Sequence, residues 1–337
     1  MGSYLLRRLA VTPILLFGIL TLAFIIARLI PADPLASIVG ERAMNNEVVV
    51  AAARKKWGLD GSILEQYFSY LRNVFSGDLG TSFRTRKPVT SDLWDRLPAT
   101  AELGLAALLF GGIGGVILGV VSARHQNRLV DHVARLTALV GSSLPVFWLG
   151  LVVLYVFYAR LGWFPGPGRL PSRVDPPDHV TGLYTIDALL DGNPSLAWQC
   201  LRQLALPALV LGWSLMGIVS RLVRAATLDE LHADYVRTAR AKGLDEGGVM
   251  RHHVLRNSLT PVITIMGLML GVVLTSAVLT ETVFSWNGIG SYAVESTTRL
   301  DYPAINGVCL TAGVIFLVSS LLADIAYAVA DPKVRLS

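Results

Sequence analysis

The chain alternates between long apolar runs and short charged segments, and the runs have the length of bilayer crossings. A hydrocarbon core of about 30 Å takes roughly 20 apolar residues in helix, because unpaired backbone groups are not tolerated in lipid. Residues 9–27, 103–123, 136–159, 259–280 and 305–323 carry no charge at all. A sixth run, 204–220, is shorter but continues through Leu222 and Val223 past Arg221. Arg221 and Arg224 can snorkel to the surface from such a helix end. The pattern predicts an all-α integral membrane protein of six transmembrane helices. The first run exceeds the roughly 7–15 apolar residues of a secretory signal, and no small-x-small site follows it, so it is read as an uncleaved anchor.

The polar segments between the runs give three regions. Residues 1–30 hold the N-terminus and first crossing, 31–98 an extracytoplasmic cap, and 99–337 a core of five helices with a loop at 225–257. Within the cap, 51–70 has amphipathic helical character, with Ile63, Tyr67 and Tyr70 at helical spacing. With six crossings, Arg7, Arg8, Arg124, Arg128, Arg135, Arg221, Arg224, Arg237, Arg240, Lys242, Arg251, Arg256, Lys333 and Arg335 share one side. The positive-inside rule makes that side, and both termini, cytoplasmic. On the other side Asp175, Asp178, Asp187 and Asp191 offset Arg169 and Arg173.

Composition narrows the class further. Charged residues make up 16% and hydrophobic residues 53%, against about 25% charged in a soluble protein. The net charge of +5 belongs to residues beside apolar spans, which points to anionic headgroups and not to nucleic acid. Cys200 and Cys309 offer neither a disulfide framework nor a metal set. No Gly-x-x-x-x-Gly-Lys-Ser/Thr phosphate loop is present; the glycines at 111, 112, 114, 115 and 119 sit within a span, where close helix packing explains them. His252 and His253 point about 100° apart on a helix, so they make a poor nickel site. Asp92 and Asp95 have no nucleophile or metal set beside them and are assigned to the cap. No residue is read as catalytic or metal-binding.

The segment 227–257 is long for a connector. Asp229 and Glu230 suit a first helical turn. Ala239 and Gly243 are four apart, so on a continuing helix they share one face. Small residues there let another protein approach the backbone, ringed by Arg237, Arg240 and Lys242. A solvated basic loop anchored to headgroups fits the same residues equally well.

The string Asp-Tyr-Val-Arg-Thr-Ala-Arg-Ala-Lys-Gly-Leu at 234–244 resembles the "EAA" loop of ABC importer permeases, in the form typical of the dipeptide/oligopeptide/nickel branch. The general pattern is Glu-Ala-Ala, three residues, Gly, nine residues, then Ile-x-Leu-Pro. Ala239, Gly243 and Leu255 match it, whereas Arg237, Thr238, His253 and Arg256 depart from it. Further resemblance to the branch lies in Gly77-Asp-Leu-Gly-Thr-Ser, Pro88-Val89, Arg96-Leu-Pro-Ala-Thr, Pro145-Val-Phe-Trp-Leu-Gly, Leu255-Arg-Asn-Ser-Leu-Thr-Pro, Asp324, Tyr327 and Asp331-Pro-Lys-Val-Arg. Ser320 and Asn287 stand where the branch usually has Asn and Pro.

The resemblance implies a type I ABC importer permease fold and a transport subunit without enzymatic activity. It implies a bacterial inner-membrane protein that forms half of a pathway for di- and oligopeptides. Its partners would be a second homologous permease, two cytoplasmic ATPase subunits and a periplasmic binding protein, all within membrane lipid. ATP and Mg would belong to the ATPases, with no cofactor on this chain. Arg237, Thr238, Ala239, Gly243 and Leu244 would couple to an ATPase. Phe147, Trp148, Trp213 and Glu281 are candidates for lining the substrate path. Nickel, glutathione or opines are the alternative cargoes on the same machine. A secondary transporter working without ATP would need charges in mid-span, and the runs lack them.

Overall fold

The computed structural model describes residues 2–29, 45–56 and 61–330. Residue 30 and parts of the expected cap, at 31–44 and 57–60, lie outside the described residues, as do the Asp331-Pro-Lys-Val-Arg motif and the side chains of Asp324 and Tyr327. The described chain is helical. Its elements are α1 (Gly2–Leu29), α2 (Glu47–Lys56), α3 (Ile63–Phe75), α4 (Val89–Arg124), α5 (Leu129–Ser143) and α6 (Val146–Val153, extended by a π-helical stretch, Leu154–Arg160). They continue with α7 (Tyr184–Leu190), α8 (Pro194–Leu231), α9 (Asp234–Ala241), a short α10 (Glu246–Gly248) running on through a π-helical turn, Val249–Val254, into Leu255–Ser258, then α11 (Thr260–Ser276), α12 (Val278–Val283), α13 (Ile289–Thr298) and α14 (Tyr302–Ala330).

The centre is the α4–α8 pair, and glycine makes it possible. A Cβ on Gly111 would lie 2.5 Å from the Gly212 carbonyl oxygen, and Cβ atoms on Gly115 and Gly119 would each lie 2.6 Å from the Cβ of Val219 and Val223. The stripe at 111, 115 and 119 therefore lets two backbones meet without intervening side chains. Contacts rise in the same direction along both helices, so α4 and α8 are parallel. Parallel neighbours require the chain to return between them, and α5–α6 supplies that return. Along α5 the order reverses: Gly141 meets Trp213, the Ala138 carbonyl meets Gly217, and Asp131 meets Arg224. Gly104 against Leu274 and Gly112 against Met266 set α11 antiparallel to α4, and Gly267 against Ala323 with Gly271 against Ser319 sets α14 antiparallel to α11.

Among the described residues three helices are long and apolar enough to cross a membrane: Val89–Arg124, Pro194–Leu231 and Tyr302–Ala323. Shorter apolar stretches, Val11–Ile26 and Ile265–Leu274, fall at the first and fifth expected spans. The third expected span, 136–159, is not one straight helix. Leu129–Ser143 and Val146–Arg160 meet at 108°. Pro145 cannot continue the ladder and drives the residue before it out of helical geometry, and Leu144 is extended accordingly. Pro207, by contrast, lies inside the continuous α8.

At the end of the molecule opposite α9, polar staples hold the cap segments. Ser62 and Glu65 form a reciprocal capping box at the start of α3. Tyr67 and Tyr70 lie 5.2 and 5.6 Å from the Phe24 ring of α1, whereas Ile63, expected on the same face, is exposed. Ser82 donates to Asp301 at 2.6 Å, and the Asp92 carboxylate accepts from Tyr292 at 3.0 Å and from Thr85 at 2.5 Å, so Asp92 is an anchor for the turn ahead of α4. Arg169 closes on Glu102 at 2.6 Å and stacks on Tyr184 at 3.6 Å, pinning the segment before α7 to α4.

Candidate functional site

At the far end of α8 the chain builds a small hairpin of helices. Val236 and Ala239, three apart on α9, turn inward and meet Val249, Met250 and Val254, with Leu231 and Leu255 at the edge. This separate apolar cluster holds α9 against the stretch that leads into α11. Tyr235 closes the base: its hydroxyl donates to the Glu230 carboxylate and accepts from the Asn257 amide at 2.9 Å. Burial, with Glu230 beside it, pushes the Tyr235 phenol above its ordinary range.

The turn after α9 is a complete Schellman cap. Gly243 has φ +84°, its N–H donates to the Arg240 carbonyl at 3.0 Å, and the Leu244 N–H donates to the Ala239 carbonyl at 3.3 Å. These are the two bonds of that motif, and the left-handed residue at its centre is normally glycine. Arg240 then grips Glu246 with two bonds of 2.8 and 3.2 Å, which holds the Glu246 carboxyl below its usual value. Asp245 caps the next turn by accepting from the Gly248 N–H.

This geometry corrects the spacing argument for Ala239 and Gly243. They do not share an outward helical face: Ala239 is buried in the hairpin core, and Gly243 lies beyond the end of α9. What protrudes is Arg237, Thr238, Ala241, Lys242, Gly243 and Leu244. An added Cβ on Gly243 would meet nothing within 4 Å, so the glycine is there for its backbone angle. The result is an apolar knob, Leu244, beside a basic rim on a stiff base. A Gly just past a Lys/Arg-rich helical turn is a C-terminal signal that could have revealed this from sequence.

The four path candidates do not gather. Phe147 and Trp148 lie on α6, 46 and 47% exposed. Trp213 is half-buried in the α5–α8 seam, its indole N–H donating to the Thr137 carbonyl at 3.1 Å. Glu281 is fully buried, accepting from the Thr100 hydroxyl at 2.6 Å and the Ser291 N–H at 3.0 Å, which ties α12 to α4 and α13. His252 and His253 face different neighbours, the Gly248 carbonyl and the Tyr235 ring. Among the described residues no three His, Cys, Asp or Glu side chains gather as metal ligands.

Sequence reasoning passed over one further cluster near the hairpin. Asp131 is fully buried and accepts from the Ser122 hydroxyl, the Asn127 N–H and two Arg224 nitrogens at 3.0 Å, with Arg135 at 3.2 Å. It joins α4, α5 and α8 where α8 leaves the bundle. A lone acid amid Arg124, Arg128 and Arg135 was the available signal.

Residues 115–336 match the family described as "Binding-protein-dependent transport system inner membrane component", and residues 1–104 match its N-terminal counterpart. The chain is 44% identical over 317 residues to a probable D,D-dipeptide transport system permease protein of Escherichia coli, covering 94% of this chain and 93% of that one. It is 42% identical to a di/tripeptide transport system permease protein of Pseudomonas aeruginosa, covering 99% of each. Identity is 40% to a dipeptide transport system permease protein of Alkalihalophilus pseudofirmus, covering 99% of this chain and all of that one. A solved amino acid ABC transporter overlaps 73% of this chain and 95% of its own with TM-score 0.49 and 13% identity, too distant to add to these.

Proposed function

We propose that this chain, which belongs to the family of binding-protein-dependent transport system inner membrane components, forms half of the path by which an ATP-driven importer takes up dipeptides and short oligopeptides. It is a permease subunit and not the enzyme of that machine. The cargo follows from the near full-length similarity to permeases named for dipeptides and di/tripeptides.

The observation that carries the coupling role is the rigid, protruding α9–Gly243 hairpin at the end of α8. An unbroken helix of 38 residues is about 57 Å long at 1.5 Å per residue. Only the two-residue turn of His232 and Ala233 separates it from the hairpin, so little chain is left to absorb motion between the hairpin and the α4–α8 centre. Arg237, Thr238, Gly243 and Leu244 meet an ATPase, and Ala239 acts by holding α9 on its core. Closure of the ATPase pair displaces the hairpin, and α8 passes the displacement into the bundle. ATP and Mg reside in those ATPases. Each ligand shifts the inward–outward equilibrium only by its differential affinity for the two states.

The full assembly pairs this subunit with a second, related permease, two ATPases and a periplasmic binding protein. The chain crosses the inner membrane six times with both termini cytoplasmic, residues 31–98 outside and 225–257 inside. The alternating directions of α4, α5–α6, α8, α11 and α14 support that path. Phe147 and Trp148 face the route of the peptide, while Trp213 and Glu281 brace its walls. Uptake of a radiolabelled dipeptide by proteoliposomes holding the whole complex tests the reading. Accumulation that needs both ATP and the binding protein supports it; accumulation driven by an ion gradient without ATP contradicts it.

A further inference from the structure

Arg221 does not reach for the membrane surface. A helical side chain leans toward the N-terminus of its own helix, and on α8 that direction leads back into the bundle. The Arg221 Nη1 donates to the Ser142 hydroxyl at 2.9 Å, and the same oxygen lies 3.2 Å from where a Cβ on Gly217 would stand. The guanidinium therefore sits at the level of Gly217, four residues and about 6 Å deeper than its own place on α8. Ser142 is eleven residues along α5 from Asp131, about 16 Å. The runs 136–159 and 204–220, which flank the group, carry no charge.

Charge within a span faces the bundle interior or a water-filled cavity, and it marks substrate routes. Asp131 engages Arg224 and Arg135, but Arg221 pairs with no carboxylate among the described residues. Of the five N–H donors of a guanidinium, Ser142 takes one. Ser142 donates in turn to the Leu139 carbonyl at 3.3 Å, which fixes the oxygen that orients Arg221. Arg221 is exposed on this chain and borders, with Ala138, Leu139 and Ser220, a cleft of about 360 Å³ that ends at Arg135 and Arg224. Its remaining donors thus face a space large enough for a carboxylate, which hydrocarbon could not satisfy.

We propose that Arg221, oriented by Ser142, lines the inner half of the peptide route and binds the carboxylate that ends the passing peptide. The cargo brings that group whatever its side chains, and a guanidinium takes a carboxylate through two parallel bonds. The inference rests on the importer reading given above. It adds a cation to path candidates, Phe147, Trp148, Trp213 and Glu281, that include none.

The test is cysteine labelling of the intact, nucleotide-free complex in nanodiscs, with Leu139→Cys as the reporter in the cleft. Labelling is read by mass spectrometry on the fragment that bears position 139, so Cys200 and Cys309 stay in place. A water-soluble methanethiosulfonate should modify that position. Dialanine should slow the modification, and dialanine amide, which lacks the carboxylate, should not. With Arg221→Gln added, about tenfold more dialanine should be needed for the same protection, the effect of one charged hydrogen bond. Arg221→Lys should keep most of it. Equal protection by dialanine and its amide, no protection by either, or protection unchanged in Arg221→Gln overturns the proposal. So does modification by a membrane-permeant maleimide alone, which puts the cleft against lipid. Loss of the second permease from Arg221→Gln makes Arg221 a subunit contact and also overturns it. Uptake driven without ATP contradicts the importer reading whatever the labelling gives, whereas absent protection in a complex with normal uptake overturns only the role of Arg221.

Discussion

The Leu244 amide donates to the Ala239 carbonyl across 3.3 Å, and this bond turns the chain back at the tip of the hairpin. It forms because Gly243 between them adopts φ +84°, a conformation that disfavours side-chain-bearing residues by roughly 1–2 kcal/mol. The knob and basic rim therefore depend on one residue that itself offers no side chain.

Gly243→Val should uncouple the transporter more severely than Gly243→Asn, because asparagine tolerates the left-handed region and a β-branched residue does not. Gly243→Trp should insert in the membrane normally and still lose transport. The readout is the ratio of dipeptide uptake to ATP hydrolysis in proteoliposomes. Equal ratios for valine and asparagine would mean that backbone angle is not what the position supplies.

The α4–α8 seam should resist any enlargement. Gly115→Leu places atoms where the Cβ alone already lies 2.6 Å from Val219, and overpacking of this kind costs about 1–3 kcal/mol. The melting temperature of the detergent-purified complex should fall. Gly18, where an added Cβ meets nothing within 4 Å, should accept alanine with no change.

The Glu102–Arg169 pair is mostly buried, at 8 and 10% side-chain exposure. Removing one partner strands the other, at a cost of about 3–5 kcal/mol, whereas apolar replacement of both is far milder. Glu102→Leu alone should lower the melting temperature clearly, and Glu102→Leu with Arg169→Met should recover most of the loss. Failure of the double variant to recover would show that the Arg169 stack on Tyr184 and the two Thr185 bonds to Glu102, and not the charge pair, secure this segment.

Single-cysteine labelling should place position 54 outside and positions 237 and 242 inside. Modification of all three from one face of right-side-out vesicles would break the six-crossing path.

Much of this architecture was legible because charge is scarce in lipid. Runs such as 103–123 and 305–323 announce themselves by its absence, and the 234–244 string marked the hairpin. Prolines within charge-free runs mark kinks, and Pro145 does break its span; the 108° angle was not legible, and Pro207, which the same reading makes a kink, lies inside the continuous α8. Asp131 with Arg224 and Glu102 with Arg169 stand 93 and 67 residues apart, and no local pattern joins them. The shared face for Ala239 and Gly243 fails because the helix spacing is carried two residues past Ala241, where α9 ends. Phe147 and Trp148 stand exposed on α6, apart from Trp213 and Glu281, and aromatic residues within an apolar run carry no pattern that separates a path wall from packing.

The most direct test is affinity purification of this subunit from gently solubilised membranes, with mass spectrometry of the bound proteins and their stoichiometry. Two ATPase chains and one second permease for each copy are the predicted result. A lone homo-oligomer that lacks any ATPase would contradict the importer reading at its centre.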